Sequence, residues 1–222
     1  MRLNFFQQIA NNQVENSLSH QMRTKRFAFF NACLAQVPKP LTILDIGGTM
    51  AFWEAMHFKQ EGVKIILLNL SPAESLPEPF TAVQGDATAL TAFANQSIDI
   101  VFSNSVIEHL FTWDNQQKMA AEVLRVGKNH FIQTPNYWFP IEPHWVCPFF
   151  QYLPKSIRIW MTQHWSLGHI GKISDPNKAK AQVEEIQLLT KRQMQQLFPK
   201  GMIYEEKFAG LNKSFVAHSF SV

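Results

Sequence analysis

Apolar residues along this chain fall into short β-rich blocks separated by stretches of helical spacing. Residues 41–46 form the first block, flanked by prolines before and glycines after, and fit a strand buried on both faces. Ahead of it, Leu18, Met22, Phe29 or Phe30, Cys33, Leu34 and Val37 recur at near-helical intervals opposite Arg23, Lys25 and Arg26. This predicts an amphipathic helix that Val37-Pro38-Lys39-Pro40 stops. After Gly47 and Gly48 a helix is expected over 52–61, closed by Gly62, and a second strand over 63–70. Strands over 80–84, 98–103 and 130–134 follow, with helices over 88–95 and 115–126 between them.

Strand, helix and strand in that order make a right-handed parallel unit, and its repetition predicts an open doubly wound α/β sheet with ligands at the carboxyl ends of the strands. From Pro135 the pattern changes. Residues 135–174 hold Tyr137, Trp138, Phe139, Trp145, Phe149, Phe150, Tyr152, Trp160 and Trp165 among five prolines, too aromatic for a solvated linker. A lid over the active site, residues 135–187, is expected. Asp175-Pro176 reads as a helix start, and Thr190 to Gln193 as a capping box for a helix ending at Phe198-Pro199. The runs 202–208 and 215–222 read as an antiparallel hairpin at one sheet edge. The expectation is a single domain, 1–222, with a helical segment over 1–40.

Composition narrows the function classes. With 222 residues, 46% hydrophobic and 17% charged, the chain suits a globular protein, and it lacks the apolar run of about 20 residues that a spanning helix needs. Residues 1–13 have no continuous apolar core of a secretory signal, so a cytoplasmic location is expected. Cys33 and Cys147, only two and far apart, read as reduced thiols. A net charge of +3 spread along the chain gives no dense basic face, so no nucleic-acid partner is expected.

The chemistry concentrates at Asp45-Ile46-Gly47-Gly48, where a strand ends at a carboxylate and two glycines allow a ligand close to the backbone. With Gly85-Asp86-Ala87 and the stretch 99–110, which includes Asn104-Ser105-Val106-Ile107-Glu108-His109, it resembles the class I S-adenosylmethionine-dependent methyltransferases, of the small-molecule type. The resemblance implies a Rossmann-like seven-stranded mixed sheet with a C-terminal antiparallel hairpin, an N-terminal helix and an aromatic-rich insertion after strand five. It implies S-adenosyl-L-methionine as cofactor. Asp45 would hold its ammonium, Gly47 and Gly48 its amino-acid part, Asn69 the ribose, and Asp86 and the Ala87 N–H the adenine, with Ser103 completing the set. Two departures stand out. The glycines are adjacent rather than alternate, and Asn69 replaces the usual acid, so it can accept one ribose bond and donate another.

Transfer of a methyl from a sulfonium is an in-line displacement, so the protein aligns donor and acceptor and, for hydroxyl or amine acceptors, removes a proton. His144 and Glu142, held between prolines in the insertion, are the first choice for base or orienter, with His109 beside Glu108 next. The plain alternatives are a packed loop histidine and a local helix-start hydrogen bond. No metal is expected, because Ser105 stands where metal-binding relatives carry an acid, and no second ligand pair supports His144 and Cys147. The aromatic insertion suggests a small apolar or aromatic acceptor, or a lipid-like one docked at a membrane surface through 148–153. An NAD-dependent oxidoreductase would need the absent Gly-x-Gly-x-x-Gly, and a catalytically silent cofactor-binding module is the other alternative.

Overall fold

The computed structural model describes residues 18–73 and 75–221, so the reading of residues 1–13 lies outside them. Helix α1 (Leu18–Leu34) leads into β1 (Leu41–Ile46), α2 (Met50–Ala55), β2 (Val63–Asn69), β3 (Phe80–Gln84) and β4 (Ile98–Asn104). A short 3-10 turn, Ile107–His109, precedes α3 (Trp113–Val126) and β5 (Gly127–Pro135). The insertion carries a small hairpin, β6 (Ile141–Glu142) with β7 (Cys147–Pro148), then α4 (Lys155–His164) and α5 (Pro176–Glu185). The chain closes with α6 (Lys191–Leu197), β8 (Met202–Phe208) and β9 (Leu211–His218).

Seven strands form one mixed sheet in the order β3-β2-β1-β4-β5-β9-β8. The first five are parallel, β9 runs antiparallel to β5, and β8 antiparallel to β9. Strand order reverses between β1 and β4, which pair directly, and in open α/β sheets the ligand crevice lies outside the carboxyl ends of the strands at that point.

Both faces of the sheet are covered, which is why its central strands are almost wholly apolar. On one face Phe30 of α1 and Trp53 of α2 pack on Phe102 and Phe131, whose rings stack 5.6 Å apart. On the other, Met119 and Val123 of α3 and Met194 of α6 pack on Val101, Ile132 and Phe215. Thr112 and Thr190 cap α3 and α6, the latter with the full capping box, and Asp175 caps α5 ahead of Pro176.

The insertion has a third, separate core of Trp145, Phe150, Val183 and Ile186, with the Trp145 and Phe150 rings stacked at 4.5 Å. Backbone bonds fasten it to the end of β4: Gln187 N–H donates to Glu108 O at 2.7 Å and Phe111 N–H to Glu185 O at 3.3 Å.

Three expectations are corrected. Residues 88–95 form turns rather than a helix, because α3 side chains take their polar groups: Glu122 accepts from Leu90 N–H, and Arg125 donates to the Leu90 and Phe93 carbonyls. Helix α2 stops at Ala55, where His57 turns into the left-handed region and Phe58 folds back onto Trp53. The final strand ends at His218, four residues short of the 215–222 reading, and pairs from Leu211 across a tight Ala209-Gly210 turn. Among the described residues no helix is long and apolar enough to cross a membrane.

Candidate functional site

The crevice between β1 and β4 has two sides, one built from strand ends and backbone, the other from side chains. On the first, Asp45 at the end of β1 is 1% exposed and accepts a hydrogen bond from Trp53 Nε1 at 2.8 Å. Burial pushes its carboxyl up to about 8, against the opposing pull of that indole. The carboxylate lies so close under the loop that a Cβ on Gly48 would sit 1.8 Å from Asp45 Oδ2. Gly47 takes φ +73°, and a Cβ there would meet Val106 Cγ2 at 2.6 Å. The adjacent glycines are thus demanded by what packs against them, whatever binds above.

Asn69 at the end of β2 donates from Nδ2 to Gly48 O at 2.9 Å. A carboxylate could not make this bond, which gives the departure from the expected acid a structural cause. At the neighbouring end of β3, Gly85 N–H donates to Asn69 O, and Asp86 is exposed with Oδ1 accepting from Thr88 N–H at 2.8 Å and Thr88 Oγ1 at 2.7 Å. Ala87 is buried, while Leu70 beside these groups is 70% exposed. Bare glycine backbone, an exposed carboxylate and a large uncovered apolar side chain together fit a ligand with a charged end and a flat apolar end, as S-adenosylmethionine has. Ser103 departs from expectation: it is fully buried, and its hydroxyl donates to Ile46 O at 3.3 Å, bracing β4 against β1 beneath the loop.

The second side begins two residues past Val106. Glu108 is fully buried; its Oε2 accepts from Thr134 Oγ1 at 3.0 Å and its Oε1 has no partner. Burial drives its carboxyl above the usual range, although the neighbouring His109 and His144 pull it back. His109 Nδ1 lies 2.9 Å from Glu185 Oε1, and His144 Nδ1 lies 2.6 Å from Glu142 Oε1. The other oxygen of Glu142, which is 1% exposed, accepts from the backbone N–H of both His144 and Trp145 at 2.7 Å. The two imidazoles meet edge to face, Nε2 to Nε2, at 3.2 Å. Burial opposes charge on His144, but Glu142, Glu108 and Glu185 outweigh it and hold the ring's pKa above its ordinary value.

His109, His144 and Glu142, expected separately from sequence, thus come together in one cluster. Glu185 is the member that sequence reading missed: it lies 76 positions from His109 at the end of α5, with no local pattern to mark it. Ligand atoms of Glu108, His109 and His144 lie within 4.8 Å of one another. Ser105 is turned away, its hydroxyl donating to Gln133 Oε1 at 2.8 Å.

Residues 29–130 match a family described as a methyltransferase domain. An uncharacterized protein found in two strains of Mycobacterium tuberculosis is 32% identical over 159 residues, 64% of this chain and 51% of that protein, so the chain spans about half the length of those relatives. An S-adenosylmethionine-dependent methyltransferase from Methanosarcina mazei superposes with a TM-score of 0.52 at 14% identity, covering 84% of this chain and 95% of its own. The CurJ carbon methyltransferase superposes at 0.56 with 13% identity, covering 93% of this chain and 56% of its own. At these identities the structural likeness is one of fold.

Proposed function

We propose that the chain, whose residues 29–130 match a methyltransferase domain family, is a class I S-adenosylmethionine-dependent methyltransferase and that it methylates an oxygen or nitrogen of a small apolar or aromatic metabolite. The observation that carries the proposal is the hydrogen-bonded series Glu142–His144–His109–Glu185, which Val106 and Gly47 join to the glycine loop.

The cofactor supplies an electrophilic methyl on a sulfonium. Gly47, Gly48 and the underlying Asp45 would receive its amino-acid end, Asn69 one ribose hydroxyl through its amide oxygen, and Asp86 and the Ala87 N–H its adenine. With that methyl donor bound, an Nε2 of the histidine pair would take the acceptor's proton as the acceptor is methylated. Glu142 and Glu185 hold the Nδ1 hydrogens and stabilise the imidazolium that forms. The 135–187 segment, part of one 1–222 domain, acts as a lid that keeps water from the reaction.

A lipid-like acceptor presented at a membrane surface is the second reading, favoured by Trp138, Phe149, Ile157, Trp160 and Trp165, all left more than 40% exposed on the insertion. Binding to phosphatidylcholine vesicles, absent in Trp160→Ala, distinguishes it.

Calorimetry with S-adenosylhomocysteine tests the cofactor assignment: wild type binds it and Asp86→Ala binds it more weakly. No binding by wild type, or equal binding by the variant, removes that assignment. Labelled-methyl transfer to a panel of phenols and aromatic amines tests the acceptor class, and cofactor binding without turnover on any of them would instead favour a silent module.

A further inference from the structure

Two carboxylates at the two Nδ1 atoms fix hydrogen there and leave both Nε2 atoms as lone pairs aimed at each other across 3.2 Å. That arrangement is repulsive unless a proton or a metal cation lies between them. Beside them, Glu108 Oε1 is buried without a partner in a side chain that is wholly inaccessible, at a cost the fold must recover. Three carboxyl groups, those of Glu108, Glu142 and Glu185, surround these two rings.

We infer that Glu108, His109 and His144 form a binding site for a divalent transition-metal ion of the Zn2+ kind. Two histidines and one carboxylate are borderline ligands that suit Zn2+ better than the oxygen-seeking Mg2+ or Ca2+. Zinc–nitrogen bonds of about 2.0–2.1 Å at tetrahedral angles separate two nitrogen ligands by about 3.3 Å, and the Nε2 atoms stand at 3.2 Å. Glu142 and Glu185 supply the outer carboxylate that a metal-bound histidine's other nitrogen ordinarily has, and are positioning residues here. The fourth position is reachable past His109, whose side chain is 31% exposed.

This reverses the expectation drawn from Ser105. That expectation looked for an acid one turn before Glu108, whereas the third ligand, His144, arrives from the insertion 35 residues beyond His109. The site does not depend on the methyl-transfer reading; with the ion bound both Nε2 atoms are ligands, and the ion in place of a histidine base would make an acceptor oxygen in the fourth position more acidic.

The test uses the full chain without cofactor. After incubation with Zn2+ and removal of excess, elemental analysis and competition with a chromophoric chelator give stoichiometry and affinity. One ion per chain is expected for wild type and for His57→Ala, an exposed histidine that is not a member of the cluster. His144→Ala and Glu108→Gln should lose at least about 100-fold in affinity, and Glu142→Gln about 10–100-fold. Co2+ substitution of wild type should give the visible absorption of a four-coordinate ion, so the proposal stays testable if His144→Ala fails to fold. Wild type that retains no ion, or folded Glu108→Gln that binds as wild type does, overturns it. S-adenosylhomocysteine binding measured on the same samples keeps this outcome separate from that of the cofactor assignment.

Discussion

The two sides of the crevice are built on different principles. The proposed donor side is made of the loop after β1 and the end of β2, where Gly47 and Gly48 act through steric fit and Asn69 through a side-chain bond to the Gly48 carbonyl. The proposed acceptor side is made of side chains from three distant segments, around 108, 142 and 185, two of them buried carboxyls, and it lies between the main core at Ile107 and the insertion's own core at Trp145 and Ile186. The first tolerates little change of shape, and the second little change of charge.

The sharpest way to break this contrast is His144→Ala. If the acceptor side works by moving a proton or holding a cation, methyl transfer falls by about 10²–10⁴-fold while S-adenosylhomocysteine affinity stays within a factor of two. A parallel loss of cofactor affinity would mean the two sides are one. Gly48→Ala is the converse. Its Cβ collides with the Asp45 carboxylate, so both cofactor binding and stability fall, the latter by about 2–4 kcal/mol in urea unfolding. Gly171→Ala, with open space around its Cα on the insertion, should change neither, and serves as the partner measurement.

A smaller effect concerns pH. Burial raises the Asp45 carboxyl in the folded protein to about 8, above its unfolded value, so the folded state binds the extra proton between the two. Its contribution to stability is complete below the unfolded pKa and is lost as pH rises through about 8, at up to about 1.4 kcal/mol per pH unit. His130, held down to about 4 by burial and by His218, works in the opposite direction below neutrality. The difference between wild-type and Asp45→Asn stability curves therefore isolates the aspartate. A flat difference between pH 6 and 8 would mean that Asp45 is ionised in the folded state and that its burial is relieved in solution.

Much of the donor side was legible because its signals are local. A β-rich run, a terminal carboxylate and two glycines fall within eight residues, and the Asn69 and Asp86 positions follow from where the next strands end. The same locality misled at Ser103, whose hydroxyl is spent on Ile46 O, and at 88–95, whose helical composition is overruled by Glu122 and Arg125. The acceptor side was legible only in pieces. His109, Glu142 and His144 could be named as chemically apt, but nothing in their spacing says that two rings meet at 3.2 Å or that Glu185 stands behind one of them.

The sequence by itself determined the alternating strands and helices, the terminal hairpin and the loop at Asp45, because hydrophobic period and turn chemistry act over a few residues. Only the tertiary structure decided which polar groups share the buried space beyond Val106. That depends on how the insertion's own core docks against the end of β4, and the free energy of a buried carboxylate or imidazole is set by neighbours far away in the chain.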